Sequence, residues 1–288
     1  MPTGSVSFAV MDRHSDAPRP PGTGGKVVLS RLPRGRSAIA APAASLKLVL
    51  EGEEVYEVDG QMHRVRAGQF LYLDAGSDCT AHIAQPTRGL CLLLPPQGSS
   101  AVHEHDPLIG RAMTLSTRTS QMGAVIAHYA QRIAADPGQG ERLATGLVGE
   151  AARHIASPLA DIREAVARLK VSKPRTRLAI YERLDLARAY LHEHQHEKVA
   201  LPRLAEVSGI SQFQLARYFH LAFGQSPIAY HRTLRLKRAA SLLKEGEGCL
   251  ERVAEQCGYS DQVALTHAFT RTFGAPPKRW LESVARPS

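Results

Sequence analysis

The chain has 288 residues, 43% of them hydrophobic, and a formal net charge of +9. That length suits about two domains with ordinary buried cores, and no stretch approaches the roughly 18 consecutive apolar residues that a membrane span needs. Cys79, Cys91, Cys249 and Cys257 form no CxxC pair and no zinc spacing, so reduced, partly buried thiols are expected and no metal or other cofactor is implied. From Lys173 onward there are 18 Lys+Arg against 11 Asp+Glu, whereas the preceding 172 residues hold 18 against 16. A basic excess gathered in one segment is the footprint of a phosphate-binding domain, although a solvated basic surface has the same composition.

Met1 to Gly25 mixes Pro, Gly, Arg and Asp and lacks an apolar signal-peptide core. It is expected to be a loose tail, with the cytoplasm as the default compartment. Residues 26–105 read as a β-rich domain. Leu46–Leu50, Glu54–Val58, His63–Arg66 and Phe70–Leu73 are short runs punctuated by Gly52, Asp59-Gly60, Ala67-Gly68 and Ala75-Gly76. Asp59-Gly60 is a type I′ hairpin signal, since both central residues must accept positive φ. Strands at this spacing suggest a small antiparallel barrel or jelly roll.

Over residues 106–172 the period changes. Met122, Val125, Ile126, Tyr129 and Ile133 recur at helical spacing before Asp136-Pro137-Gly138, and Leu143, Leu147, Val148, Ala151 and Ile155 do so before Pro158. Two amphipathic helices here could pack within the chain or on a second subunit. Lys170 to Arg177, with Pro174 and alternating basic residues, reads as a linker. A helical domain over 173–288 follows, opening on a helix whose stripe includes Leu184, Ala187 and Leu191 and which ends near His194.

Within it the sequence repeats. Leu204-Ala205-Glu206-Val207-Ser208-Gly209-Ile210-Ser211 is echoed 49 residues later by Val253-Ala254-Glu255-Gln256-Cys257-Gly258-Tyr259-Ser260. The offset then becomes 50, and Leu215, Phe219, Phe223, Gly224 and Pro227 answer to Leu265, Phe269, Phe273, Gly274 and Pro277. Each copy reads as short helix, glycine turn, second helix and glycine stop, which is the form of a helix-turn-helix. Ser211 can cap the second helix of the first copy, with Gln214 completing a capping box. Leu215, Phe219 and Phe223 take the core face. Gln212, Phe213, Ala216 and Arg217 are left to reach base edges, and in the second copy Gln262, Val263, Thr266 and His267. Arg217 could donate two bonds to guanine or clamp a phosphate; Gln262 could bond adenine and Val263 touch a thymine methyl. Between the copies a helix from Ser226-Pro227 to about Glu245 is long enough to hold two readers near one B-DNA repeat apart. Arg232, Arg235, Lys237 and Arg238 on it are candidates for phosphate contacts or for acid-pairing surface residues.

These residues resemble the AraC/XylS family of bacterial transcription regulators over roughly Leu184 to Trp280. The likeness rests on Ser208-Gly209-Ile210-Ser211, Phe223-Gly224-Gln225-Ser226-Pro227, Cys257-Gly258-Tyr259-Ser260 and Phe273-Gly274-Ala275-Pro276-Pro277-Lys278-Arg279-Trp280, with Leu215, Arg217, Phe219, Arg235 and Phe269 between them. It implies that the second helix of each unit contacts bases. Phe213, Ala216 and Arg217, then Gln262, Val263 and His267, are the family-like reading positions. His267 departs from the family's frequent Arg, Leu265 from its Phe, and Ala200 from its capping Ser or Thr. Residues Leu46 to Ile83 resemble, less specifically, the cupin-like sensory domain of such regulators.

The resemblance therefore implies an α+β chain: a cupin-like β-barrel followed by helices, then an all-α domain with two helix-turn-helix units. Its partners would be double-stranded DNA, a small-molecule effector, RNA polymerase and a second copy in a homodimer, with no membrane. A cupin enzyme is the rival from another class, but a metal-dependent cupin uses a His-x-His pair with further inward ligands. The strand region offers only isolated His63 and His82; His103-Glu104-His105 lies beyond it, and His192, His194 and His196 sit at a helix end. No catalytic residue is assigned. An architectural DNA-binding protein without effector is the remaining alternative, and it would bind unrelated duplexes almost equally.

Overall fold

The computed structural model describes residues 5–14, 25–41, 43–95, 112–154 and 156–285, and they form two compact units, Met1–Asp185 and Leu186–Ser288. Among the described residues the first unit holds ten strands: β1 (Ser7–Met11), β2 (Lys26–Leu32), β3 (Gly35–Ala41), β4 (Ser45–Glu51), β5 (Glu53–Val58), β6 (Gln61–Arg66), β7 (Gln69–Leu73), β8 (Ser77–Ile83), β9 (Thr87–Leu93) and β10 (Ala112–Ser116). They make a six-stranded sheet in the order β1-β2-β9-β4-β7-β10 and a four-stranded sheet in the order β3-β8-β5-β6. Alternate residues of both sheets fill the space between them. Val49, Leu71 and Leu73 from one sheet meet Tyr56, Val58, Val65, Ala81 and Ile83 from the other. On β5 the alternation is plain: Glu54, Tyr56 and Val58 are buried, while Glu53, Val55 and Glu57 face outward. Asp59-Gly60 makes the expected hairpin between β5 and β6, with φ of 49° and 69°.

Two parts of this unit differ from the sequence reading. Residues 7–11 are not a loose tail but β1, which adds to β2 in parallel, so the sheet is not wholly antiparallel. Phe8, Ala9 and Met11 are half-buried there, and a nonlocal partner gives this short run its structure. β10 lies beyond the expected end of the barrel at 105 and pairs with β7. Its outer N–H groups are closed by carboxylates: Thr114 N–H donates to Glu182 Oε1 at 2.7 Å and Ser116 N–H to Asp185 Oδ2 at 2.8 Å.

Three helices follow the strands: α1 (Gln121–Ala135), α2 (Gly140–His154) and α3 (Ala156–Arg168). Ser120 caps α1 by accepting the Gly123 N–H, and Met122, Ile126 and Ile133 form the buried stripe. α1 and α2 pack on each other, α1 also on β4 and α2 on β1 and β2. Helix α3 runs through the point where Pro158 was expected to mark a stop. Proline in a first turn has no intrahelical N–H to lose, so it starts helices as readily as it ends them. The same reasoning applies to Pro174, the first residue of α4 (Pro174–Glu193). Helix therefore occupies the second half of the expected linker, from Pro174 on, and the two units divide inside α4. Among the described residues no helix is long and apolar enough to cross a membrane. His103-Glu104-His105 and Ile155 lie outside the described residues.

The second unit contains the last turns of α4 and six further helices: α5 (Leu201–Ser208), α6 (Gln212–Phe223), α7 (Pro227–Lys244), α8 (Leu250–Gln256), α9 (Gln262–Phe273) and α10 (Pro277–Ala285). The 18 residues of α7 span about 27 Å at ~1.5 Å per residue. Its first turns meet the α5–α6 pair through Tyr230. Its later turns, Leu236, Ala239, Ala240 and Leu243, share a core with Val253, Ala254, Leu265 and Phe269 of the α8–α9 pair.

Candidate nucleic-acid interface

Each helix-turn-helix is built by the same local chemistry. Gly209 and Gly258 turn the chain in the left-handed region, at φ of 65° and 67°. Ser211 then caps α6 by accepting the Gln214 N–H at 3.3 Å, and Asp261 caps α9 by accepting the Ala264 N–H at 2.7 Å. That bond, with a second from the Ser260 hydroxyl, holds the Asp261 carboxyl below its ordinary range. The capping box expected at Ser211 is modified. The Gln214 carboxamide oxygen accepts the Ser211 hydroxyl proton at 3.3 Å, where the box would have it accept the Ser211 backbone N–H. Ala200 provides no side-chain cap for α5, as its sequence implied.

The buried faces of the two second helices are anchored by matching aromatic clusters. Phe219, Phe223 and Tyr230 lie with ring centroids 4.6 to 6.5 Å apart, and Phe269, Phe273 and Trp280 at 4.4 to 5.4 Å. The 50-residue offset thus extends to Tyr230 and Trp280, a correspondence that the sequence reading did not use. The Arg188 guanidinium also covers the Phe223 ring at 4.6 Å.

With those faces buried, the candidate reading positions fall on one surface of each helix. Gln212, Phe213, Ala216 and Arg217 occupy positions i, i+1, i+4 and i+5 of α6, and Gln262, Val263, Thr266 and His267 repeat them on α9. Gln212, Arg217, Gln262 and His267 are exposed, and Ala216 and Thr266 are half-buried. Phe213 is 76% exposed and Val263 58% exposed, unusual values for side chains of that kind. They stand at equivalent positions in the first turn of each helix. The Arg217 side chain is exposed, with its guanidinium 6.0 Å from the Tyr218 ring.

The four basic residues of α7 separate in the structure. Arg235 is neither a phosphate contact nor an acid-pairing surface residue. It is only 5% exposed, donates to the carbonyls of Cys257 (2.6 Å from Nε) and Gly258, and lies 4.3 Å from the Tyr259 ring. Its guanidinium therefore fixes the second turn, and burial lowers its pKa below the ordinary arginine value. Arg238 Nε donates to the Gln256 carbonyl at 3.3 Å. Arg232 and Lys237 are exposed, and Arg232 lines a hollow of about 340 Å³ together with Lys198 and Ser260. The histidines at the end of α4 serve packing. His192 Nε2 lies 2.7 Å from the Tyr230 hydroxyl, His194 stacks on Tyr190, and the His194 carbonyl accepts from His231 Nε2 at 3.0 Å.

Two helix-turn-helix units with these surfaces exposed place the region in the helix-turn-helix class. Residues 204–283 match a family model described as a helix-turn-helix domain. The MmsAB operon regulatory protein of Pseudomonas aeruginosa is 29% identical over 101 residues, 35% of this chain and 33% of that protein. A putative AraC-like transcription regulator of Streptomyces lividans is 34% identical over 97 residues, 34% of this chain and 32% of that protein. Among solved structures, the C-terminal domain of AraT, a response regulator from Geobacillus stearothermophilus, is 27% identical and covers 35% of this chain and 84% of that chain, with a TM-score of 0.34. The chain spans about a third of the length of the curated relatives it matches. Residues 204–283 are a helix-turn-helix domain, similar over this stretch to relatives that include AraC-like regulators.

Proposed function

We propose that the protein is a sequence-specific DNA-binding regulator of transcription that acts in the cytoplasm as a homodimer. Residues 173–288 read the operator, residues 26–105 sense a small molecule in a cupin-like barrel, and the helices of 106–172 mediate dimerisation. The observation that carries this reading is the pair of equivalent exposed surfaces on α6 and α9, each with a large apolar side chain in its first turn. An exposed Phe213 or Val263 costs solvation in the free protein and fits a thymine methyl or sugar face in a major groove. Arg217 and Gln262 supply hydrogen bonds to base edges, and Arg232 and Lys198 suit a backbone phosphate. RNA polymerase is a further partner, and catalysis has no place in the scheme.

The test is binding of the full-length protein to its own upstream DNA and to a scrambled duplex across a salt series. A regulator prefers one sequence by roughly a thousandfold or more, and the preference survives moderate salt. Equal binding that fades together on both duplexes as salt rises would assign the protein to architectural DNA binding instead.

A further inference from the structure

Between the two sheets a lysine and a cysteine side chain stand in contact. Cys91 on β9 stands opposite Val28 on β2 and opposite Lys47 on β4, so the three side chains leave the sheet on one face, toward the other sheet. Lys47 is 5% exposed, and its ammonium donates to Cys91 Sγ at 2.9 Å. Glu54, the acid that shares this interior, is occupied elsewhere. One of its carboxylate oxygens accepts from the Tyr56 hydroxyl and the other from Thr87 Oγ1 at 2.8 Å. A buried ammonium is costly unless an anion faces it, and the group in contact with this one is a thiol. Burial by itself would lower the Lys47 pKa. The Cys91 sulfur, with Cys79 and Glu54 further off, outweighs burial and holds it above the ordinary lysine value. At Cys257, by comparison, no lysine among the described residues faces the sulfur, and burial pushes that thiol up.

Lys47, Cys91, Glu54 and Tyr56 line a cavity of about 630 Å³ whose other walls are largely apolar, including Val28, Ile39 and Leu93. Cys91 is half-buried and lines this cavity. A cavity of this size and lining exceeds what a peroxide would need and suits an organic body.

We propose that the barrel captures a soft carbon electrophile of the α,β-unsaturated ketone class as a covalent adduct on Cys91, with Lys47 as the proton donor. The inference rests on the sensory half of the function proposed above and supplies its ligand class. The Cys91 thiol ionises, its proton passing to water. The thiolate sulfur attacks the β-carbon, the C–S bond forms, and the C=C electron pair moves toward the carbonyl oxygen as an enolate. Lys47 Nζ–H then protonates the α-carbon, and the amine regains a proton from water. The net change is addition of one thiol across one double bond, with no oxidant or reductant.

Full-length protein is incubated with cyclohexenone and followed by intact-mass and peptide-mapping spectrometry, with saturated cyclohexanone as the non-reactive control. The expected result is one adduct, on Cys91, that is absent in Cys91→Ser and slowed by competing cyclohexanone. Lys47→Met, checked for a native thermal melt, should label about tenfold more slowly or worse, because the proton donor beside the sulfur is gone. Labelling first at half-buried Cys249, or an unchanged rate in a folded Lys47→Met, overturns the proposal. DNA discrimination is measured on the same preparation without cyclohexenone. Discrimination without an adduct refutes the capture alone, and an adduct without discrimination refutes the regulator while leaving the capture supported.

Discussion

The two turn glycines offer a matched pair of substitutions. Gly209 and Gly258 have nearly the same φ, yet a Cβ at Gly209 meets nothing within 4 Å. At Gly258 it would lie 2.7 Å from Glu197 Cα, 2.8 Å from the His196 carbonyl oxygen and 3.0 Å from Glu197 C, all backbone atoms. Alanine at either site takes on the left-handed penalty, about 1–2 kcal/mol, part of which is returned by a stiffer unfolded chain. Gly209→Ala should therefore cost about 1 kcal/mol. For Gly258→Ala, contacts roughly 1 Å inside the usual carbon–carbon separation add an overpacking cost of about 1–3 kcal/mol, because backbone rather than a side-chain tip must shift. The second variant should be the less stable by about 2 kcal/mol. The assay is urea unfolding followed by fluorescence of Trp280, the single tryptophan of the chain, which packs on Phe269 and Phe273. Equal losses within about 0.5 kcal/mol, with unchanged denaturant slopes, would refute the claim that the second turn is seated on the chain just ahead of α5.

Arg217→Ala should remove discrimination at one base position, costing about 1–3 kcal/mol there while leaving affinity for random duplex nearly intact. An equal loss on both DNAs in a competition assay would make Arg217 a phosphate clamp. His231 is buried, and that burial holds its pKa below the ordinary 6.5. Below pH 6.5 the unfolded chain takes up a proton that the folded one resists, so stability should fall as the pH drops from there toward the lowered folded value. Urea midpoints between about pH 7.5 and 5 should show a smaller acid loss in His231→Gln, which keeps a donor toward the His194 carbonyl and carries no titrating group. Parallel pH profiles for the two proteins would exclude His231 as the source.

The helix-turn-helix pair was legible because its signals are local and doubled. A glycine in each turn, a small polar cap after it and aromatics four apart each report one structural requirement, and the constant offset shows the requirement met twice. Tyr230 and Trp280 obey the same offset but differ in chemistry, so identity matching passes over them. The β5–β6 hairpin was equally legible from Asp59-Gly60. β1 was not, since Ser7–Met11 is short, neighbours a Pro- and Gly-rich stretch, and depends on distant β2 for its pairing. Helix α3 was missed because Pro158 reads as a stop until its place in a first turn is known. Arg235 misleads in the same way: a cation in sequence suggests solvent, and only packing reveals the carbonyls that receive it.

The carboxylates of Glu182 and Asp185 occupy the N–H groups of β10 that a further strand would use. The last strand of the larger sheet is thus chemically finished, and a second copy could not zip onto it without first peeling two charged partners away. Among the described residues the other edge strands are β1 of the larger sheet and β3 and β6 of the smaller one. Two charged side chains thus stand at a margin where bare backbone would serve as a template for a further strand.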